Sequence, residues 1–241
     1  MDRGDFPWLG AEDWVDFPDP STADSDGLIG VGGNLSPGML LSAYAQGIFP
    51  WFNEGEPILW WSLDPRFVLY PRNVRISRSM KKILKKREYT MTLDRDFPAV
   101  IGHCKSIRRK GQGGTWITDE MERAYLRLHE EGYAHSVEVW RDGELKGGLY
   151  GVSLGAAFFG ESMFALEANC SKIALIYLSA VLHELGFDMI DCQQHTEHLG
   201  SMGAVDVPRK TFLKELSRSL SKQKTWKGNW SEYTHLIKAA R

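Results

Sequence analysis

Apolar residues recur at both helical and strand spacings along the chain, so we expect helices and strands together. The clearest helix near the N-terminus covers residues 36–46, because Ser36 is a suitable N-cap, Pro37 stands at the first helical position and Gly47 follows the end. Beyond residue 66 the two spacings alternate. This alternation predicts strands over 67–70, 89–93 and 187–193, and helices that start near residues 77, 97, 118 and 209.

A β-hairpin is predicted near the middle of the chain. Residues 136–140 and 145–163 have the composition of strands, and Asp142-Gly143 between them is a strong turn signal. The hairpin is followed by residues 171–185, which are apolar on nearly all sides and indicate a buried helix.

Strands and helices arranged around one hairpin favour an α+β fold, that is, a mixed α/β domain. The first part of the chain differs from the rest, since it is rich in Gly, Pro and Trp. We therefore expect a small N-terminal domain over residues 1–65 and a larger domain over residues 66–241, with the boundary near Leu63-Asp64-Pro65.

Composition excludes several classes of protein. The 241 residues are 43% hydrophobic and 25% charged, as in an ordinary globular enzyme and unlike a disordered or fibrous chain. Three cysteines without a CxxC pair cannot form a disulfide framework, which favours a reducing compartment. The N-terminus lacks the basic start and apolar run of a signal peptide, and residues 147–160, an uncharged and Gly-rich stretch, are too short to cross a bilayer. We therefore expect a cytoplasmic protein with no membrane partner.

The small net charge of −2 conceals two regions of opposite sign. Residues 1–65 contain eleven acidic side chains and one basic one, whereas residues 72–110 contain thirteen basic and three acidic ones. A field divided in this way can attract a polyanion, although a solvated helix face is the other interpretation. Charge alone leaves both open. The strongest basic cluster consists of Arg78, Lys81, Lys82, Lys85, Lys86 and Arg87.

Two carboxylates are candidates for chemistry. Asp191 and Gln193 alternate with their neighbours on a predicted strand, so their side chains point to the same face. A carboxylate on an otherwise apolar strand is costly unless it has partners or a function. Glu161 follows Gly160, a residue that lets a ligand or another backbone approach closely. For each acid the alternatives are a buried, hydrogen-bonded structural group and a simple surface charge at the end of a strand.

Other motifs are weaker. Cys192, His195 and His198 have a spacing that could suit a metal, but zinc needs three or four ligands and no second cluster stands out, so we expect no metal site. Residues 108–113 match the RxxGxG loop of coenzyme A-dependent acetyltransferases, yet they precede the hairpin instead of following the long central strand. A coenzyme A-dependent N-acetyltransferase remains one alternative function. A non-catalytic RNA-binding module, suggested by the basic cluster alone, is another.

A series of short motifs runs in order along the chain. They are Gly27-Leu28-Ile29, Gly32-Gly33-Asn34-Leu35-Ser36-Pro37, Ala43-Tyr44, Gly47-Ile48-Phe49-Pro50-Trp51, Trp60-Trp61-Ser62, Asp64-Pro65-Arg66, Thr115-Trp116-Ile117, Ala134-His135-Ser136-Val137-Glu138, Gly147-Gly148-Leu149-Tyr150-Gly151-Val152, Gly160-Glu161-Ser162-Met163-Phe164, Ser171-Lys172, Asp191-Cys192-Gln193 and Gly203-Ala204. Together they resemble the leucyl/phenylalanyl-tRNA–protein transferase family over roughly residues 17–220. Leu63, Ala165 and Cys170 depart from the family pattern, and none of them is a side chain to which we assign chemistry.

The resemblance implies an enzyme that needs no metal or organic cofactor. Such an enzyme moves Leu, Phe or, more weakly, Met from charged tRNA to the N-terminus of proteins that begin with Arg or Lys. Its products enter the N-end rule degradation route. The implied fold is a small N-terminal domain followed by a larger acetyltransferase-like (GNAT-like) domain.

The resemblance also implies roles for individual residues. Asp191 hydrogen-bonds the incoming amine, Gln193 orients Asp191 or the substrate, and Glu161 reads the cationic side chain or supports the same network. Whether Asp191 relays a proton or only orients the amine stays open. The basic cluster 78–87 is expected to meet the acceptor stem of the tRNA. Substrate contacts are expected from Leu149, Phe158, Gly160, Met163 and Ser171, and, near the terminal adenosine and the pocket mouth, from Tyr44, Trp51, Trp116 and Tyr125.

Overall fold

The computed structural model describes residues 6–107, 117–222 and 226–238. The helices are α1 (Pro37–Ala45), α2 (Arg78–Lys86), α3 (Phe97–Ser106), α4 (Asp119–Glu130), α5 (Cys170–Glu184), α6 (Glu197–Ser201) and α7 (Arg209–Leu220). The strands are β1 (Leu28–Val31), β2 (Phe49–Pro50), β3 (Leu59–Trp61), β4 (Arg66–Leu69), β5 (Thr90–Leu93), β6 (Ala134–Arg141), β7 (Glu144–Leu154), β8 (Ala157–Ala165), β9 (Met189–Gln193) and β10 (Val205–Val207). Short 3-10 helices cover Pro20–Thr22, Pro71–Asn73 and Trp230–Lys238.

The strands form two sheets. One is a small sheet of β1, β3 and β2, and the other is a seven-stranded sheet with the order β10-β4-β9-β8-β7-β6-β5. Neighbouring strands are antiparallel except β8 and β9, which are parallel. Parallel neighbours need a crossover connection, and α5 supplies it. The small sheet lies entirely ahead of the large one in the sequence.

Each face of the large sheet is covered by its own apolar cluster. α5 packs on one face against Leu149 and Phe158, whereas α1, α3, α4 and α7 cover the other face with Tyr150 and Phe159. Successive residues of a strand point to opposite faces, so β7 and β8 contribute to both clusters. This position explains why α5 is apolar on nearly every side. Among the described residues, no helix has the length and apolarity needed to cross a bilayer.

Most of the predicted elements are confirmed. Ser77 and Thr118 cap α2 and α4, because their hydroxyls accept hydrogen bonds from the backbone N–H groups of Met80 and Met121, each at 3.2 Å. The helix predicted to begin at residue 209 is α7. The mixed fold is confirmed as well, with a small N-terminal domain ahead of a larger domain. The placement of their boundary at residues 65 and 66 stays a prediction.

One predicted strand is wrong. Residues 145–163 form two strands, β7 and β8, with a turn between them at Gly155 and Ala156. Gly155 has a φ of +54°, and a Cβ there would lie 2.7 Å from the Cα of Leu220, so the turn packs tightly against the end of α7. The residues beside this turn are apolar like the strands themselves, so the sequence pattern predicted a single strand across the turn.

The chain after α7 also belongs to the core, although the last element predicted from the sequence is the helix that starts near residue 209. Trp230 is fully buried, and its ring stacks on His135 with centroids 3.9 Å apart. The backbone N–H of Trp230 donates a hydrogen bond to Asp94 at 2.8 Å. The small N-terminal sheet and β10 were not predicted either, since strands of two to four residues carry too little periodicity.

Candidate active site

A cavity of about 460 Å³ lies between β8, β9, α5 and the loop that begins at Trp51. Cavities of this size are typical of small-molecule sites. It collects residues that are far apart in the sequence and that the resemblance assigned to substrate binding. Those that line it are Trp51, Leu149, Phe158, Gly160, Met163 and Ser171.

One wall of the cavity is apolar and tightly packed. Leu149 from β7 and Phe158 from β8 face Leu175 and Leu178 of α5. None of these four residues is more than 3% exposed, so core packing fixes the shape of the wall. A slot of this kind selects ligands by the size and branching of an apolar group.

Trp51 stands at the open side of the cavity. It is 41% exposed, and its ring lies 6.0 Å from that of Trp61, centroid to centroid. The indole N–H of Trp61 donates a hydrogen bond to the backbone oxygen of Trp51 at 2.7 Å, which fixes the loop. An exposed ring held in this way can stack on a nucleotide base.

The polar end of the cavity is built around Glu161. The hydroxyl of Tyr44 on α1 donates to its Oε1 at 2.8 Å, and the hydroxyl of Tyr125 on α4 donates to its Oε2 at 2.7 Å. Gln193 on β9 donates its side-chain N–H to Oε1 at 3.1 Å. Helices from both parts of the chain therefore hold one carboxyl group at the cavity surface.

Burial changes the acidity of this cluster. It raises the pKa of Glu161 to about 7, and the nearby charge of Asp191 adds to the increase. Hydrogen bonds that Tyr125, Tyr44 and Gln193 donate to the ionised carboxylate oppose the increase, because they stabilise that form. Burial, together with the charge of Glu161, raises the pKa of both tyrosines well above the usual value. Near neutral pH, Glu161 can therefore exchange a proton while the two phenols keep theirs.

Asp191 lies beneath the cavity in a buried ion pair. Nε of Arg66 donates to its Oδ1 at 2.8 Å and Nη2 donates to its Oδ2 at 2.7 Å, and neither side chain is exposed. Oδ1 also accepts the backbone N–H of Gln193 at 3.0 Å. The backbone of Gln193 has a φ of +55°, and the hydrogen bond to Asp191 helps to hold this residue in that left-handed conformation.

Two expectations about location are corrected by this geometry. Asp191 does not line the cavity, because both of its oxygens are held by Arg66, whereas Gln193, two residues later on the same strand, does line it. Tyr44 and Tyr125 do not stand at the pocket mouth, since both are fully buried behind Glu161. Arg66 was missed as a site residue. The signal for it was present: a carboxylate on an apolar strand needs a cation, and Arg66 ends the Asp-Pro-Arg motif.

The predicted tRNA-binding residues form an exposed surface on and after α2. Arg78, Lys81, Lys82, Lys85, Lys86 and Arg87 are all exposed, while Met80 between them is buried. The backbone N–H of Arg75, just before α2, donates to Met202 at 2.8 Å. Met202 follows α6, whose His198 and Leu199 line the cavity, so the basic surface begins close to the candidate site.

Trp116 and the loop over 108–113 lie outside the described residues. Two of the three residues considered for a metal are engaged elsewhere: Nδ1 of His195 lies 3.2 Å from Oδ2 of Asp206, and the thiol of Cys192 contacts the backbone oxygen of Ile190 at 3.7 Å. Within the described residues, no group of three or more His, Cys, Asp or Glu side chains is arranged to hold a metal ion.

Comparison with known proteins identifies relatives over most of the chain. Residues 68–217 match the family model described as leucyl/phenylalanyl-tRNA protein transferase, and residues 33–64 match that of its N-terminal domain. A leucyl/phenylalanyl-tRNA–protein transferase of Syntrophus aciditrophicus (strain SB) is 58% identical over 217 residues, which are 90% of each chain. A protein of the same name from Myxococcus xanthus (strain DK1622) is 54% identical over 216 residues, covering 90% of this chain and 92% of the relative.

Some solved structures are similar to parts of this chain at much lower identity. A GCN5-related N-acetyltransferase from Kribbella flavida is 9% identical, with a TM-score of 0.38, and the match covers 72% of this chain and 62% of that one. A conserved protein of unknown function from Staphylococcus epidermidis ATCC 12228 is 8% identical, with a TM-score of 0.43, covering 75% and 68%. The sequence matches show that this chain belongs to the leucyl/phenylalanyl-tRNA–protein transferase family and is an aminoacyltransferase.

Proposed function

We propose that this protein moves Leu, Phe or, more weakly, Met from charged tRNA to the α-amine of proteins that begin with Arg or Lys. One observation carries the proposal: an apolar slot and the carboxyl group of Glu161 belong to the same cavity. The slot suits an aminoacyl side chain unbranched at Cβ, and a carboxylate suits a cationic N-terminal residue. The product carries a signal for N-end rule degradation, and the reaction takes place in the cytoplasm, where charged tRNA is found.

The reaction needs no cofactor, because the aminoacyl ester is already activated. The amine nitrogen attacks the ester carbonyl, the C–N bond forms, the C–O bond to the ribose breaks, and the ribose oxygen leaves with a proton. The enzyme's part is to hold both reactants in place and stabilise the charged intermediate. An α-amine has a pKa of about 7.7–8.0, so a modest bias toward the free amine suffices at neutral pH.

Glu161 and Gln193 are the groups that contact the acceptor amine in this proposal, since both line the cavity beside the slot. Asp191 is a positioning residue. It accepts the backbone N–H of Gln193 while Arg66 holds its two oxygens, so it fixes the backbone from which the Gln193 side chain extends. The donor side chain occupies the slot of Leu149, Phe158 and Met163.

The tRNA lies along the basic surface of α2, with its 3′ end at Trp51. Six exposed cations supply phosphate contacts, which give affinity without base selection. Selection then depends on the amino acid in the slot. This division suits an enzyme that accepts tRNAs of different sequence.

The decisive experiment measures transfer from Leu-tRNA to a peptide that begins with Arg. We expect product with this peptide and with one that begins with Lys, and none with a matched peptide that begins with Asp. A parallel reaction replaces Leu-tRNA with acetyl-coenzyme A. Failure of all tRNA reactions with both cationic peptides overturns the proposal, and saturable acetylation in their place would favour the acetyltransferase alternative.

A further inference from the structure

Three side chains at the polar end of the cavity form a closed triangle of contacts through their oxygen atoms. The hydroxyls of Tyr44 and Tyr125 lie 2.5 Å apart, Tyr44 lies 2.8 Å from Oε1 of Glu161, and Tyr125 lies 2.7 Å from Oε2. Every side of the triangle is therefore within hydrogen-bond distance. Both tyrosines are fully buried, so these contacts have to be satisfied within the protein.

Counting protons shows that the triangle is incomplete when Glu161 is ionised. The two phenols then provide two protons for three contacts. If both donate to the carboxylate, the two phenol oxygens face each other at 2.5 Å with no proton between them. Oxygen lone pairs at that separation repel. The repulsive contact between the hydroxyls of Tyr44 and Tyr125 thus destabilises the ionised form of Glu161.

A third proton, placed on Oε2 of Glu161, completes the triangle. Glu161 then donates to Tyr125, Tyr125 donates to Tyr44, and Tyr44 donates to Oε1. Oε1 keeps its carbonyl character and also accepts the side-chain N–H of Gln193 at 3.1 Å. Hydrogen bonds that run in one direction around a ring strengthen one another. The geometry therefore favours uptake of a single proton at this carboxyl group.

We propose that Glu161 takes the proton from the attacking amine nitrogen, that the ring with Tyr44 and Tyr125 holds it, and that Glu161 returns it to the departing ribose oxygen. This inference rests on the proposed function, because it names the group that serves the acceptor amine. As the C–N bond forms, one N–H proton passes to Glu161. As the C–O bond breaks, the same proton passes to the ribose oxygen, so the enzyme ends in its starting form.

The surroundings of Glu161 fit a proton acceptor. α1 contributes Tyr44 and α4 contributes Tyr125, while β9 contributes Gln193 and the paired carboxylate of Asp191. Tyr150 of β7 lies against Tyr125, with ring centroids 5.4 Å apart. Desolvation and the charge of Asp191 raise the pKa of Glu161 to about 7, which is near the pH at which a general base works best.

The test is the pH dependence of turnover at saturating Arg-peptide and Leu-tRNA, from about pH 6 to about pH 9. Glu161→Gln is the main variant, because its amide can donate to Tyr125 and accept from Tyr44, which keeps the ring, but it cannot take up a proton. We expect the ratio of wild-type to variant turnover to be high above about pH 7 and to fall at least several-fold below it. A ratio that stays constant across this range overturns the inference.

Two controls exclude other titrating or charged groups at the cavity. His198 also lines the cavity, and burial lowers its pKa. His198→Asn must therefore keep the fall in turnover at low pH, here called the acid limb, that Glu161→Gln removes. Glu197→Gln removes an exposed negative charge nearby and must leave the midpoint of that limb unchanged. If either control abolishes the limb, the limb does not belong to Glu161.

The ring itself is tested by Tyr44→Phe and Tyr125→Phe. Removing one phenol breaks two hydrogen bonds of the protonated ring and relieves the repulsive oxygen contact of the ionised form, so the midpoint of the acid limb should move to lower pH. A move to higher pH would mean that the phenols act only as donors to the carboxylate, and would overturn the ring. If wild type transfers nothing at any pH, the proposed function fails; if it transfers with a constant ratio, only this inference fails.

Discussion

Arg66 and Asp191 form a buried, two-pronged ion pair between neighbouring strands of the large sheet. The guanidinium of Arg66 lies 4.7 Å from the ring centroids of both Phe49 in the small sheet and Phe212 in α7. Its Nη1 has no hydrogen-bond acceptor among the described residues and packs between aromatic rings instead. The pair thus links β2, β4, β9 and α7 directly beneath the cavity.

Breaking this pair should be costly for folding. Asp191→Ala leaves the Arg66 charge buried without a partner, and we expect it to lower the free energy of unfolding by about 3–5 kcal/mol. Urea denaturation monitored by tryptophan fluorescence measures the change. Lys222→Ala removes an ion pair with Asp188 at the surface and should cost less than about 1 kcal/mol. Equal losses in the two variants would contradict the central position given to the buried pair.

Stability should depend on the protonation of Glu161. Its pKa is raised from about 4.3 in the unfolded chain to about 7 in the folded one, so the folded state binds more protons between those values. The unfolding free energy should therefore fall as pH rises through this window, by at most about 1.4 kcal/mol per pH unit, and the contribution is gone above about pH 7. Urea denaturation of wild type and Glu161→Gln at matched pH isolates this effect, since the variant lacks the group. A difference between them that does not vary with pH would refute the shift.

Binding of tRNA should depend on salt through α2. Each phosphate contact contributes about 0.9 to the slope of log affinity against log salt concentration for a duplex, so Lys82→Ala with Lys85→Ala should weaken binding and flatten that slope by about 1–2. Filter binding of charged tRNA at several salt concentrations measures both quantities. The matched control is Lys210→Ala with Lys214→Ala, which removes two exposed lysines of α7. A slope reduced equally by both pairs would mean that α2 is not a specific contact surface.

Filling the slot should change the preference among donors. A Cβ at Gly160 would lie 3.6 Å from the backbone oxygen of Asp191 and 3.7 Å from Ile190, which are ordinary contacts, so Gly160→Ala should fold normally. The added methyl reduces the room for a large side chain, and one such misfit changes discrimination by about 10–200-fold. We expect Phe transfer to fall more than Leu transfer, measured as kcat/KM for each charged tRNA. Gly102→Ala on α3, where a Cβ meets open space, is the control. Equal losses for the two donors would show that Gly160 is not in the slot wall.

The elements with clear start and stop signals could be predicted from the sequence. α4 begins where Thr118 offers its hydroxyl as a cap, and α7 follows an amphipathic pattern of twelve residues. Interactions within a few residues determine such boundaries, so local patterns are enough. The turn at Gly155 is different. It depends on contact with the end of α7, about sixty residues later, and no local signal marks it.

In the candidate site, too, some features could be predicted from the sequence and others depend on the fold. Residues of the slot and the polar end could be named from ordered motifs, and the cavity brings Leu149, Phe158, Glu161 and Gln193 together. Their partners could not be assigned from the motifs. The same carboxylate, Asp191, is compatible with a place at the surface of a site or with an ion pair beneath it, and only the arrival of Arg66 from a neighbouring strand decides between them.

The sequence by itself determined the type and order of most elements of the larger domain, the separation of acidic and basic regions, and the family. These properties depend on neighbours in the chain or on residue identity alone. Only the tertiary structure decided which acid meets the cavity, because burial and pairing are properties of groups that the fold brings together. It pairs Asp191 with Arg66 beneath the cavity and places the carboxyl group of Glu161 at the cavity, between two buried phenols.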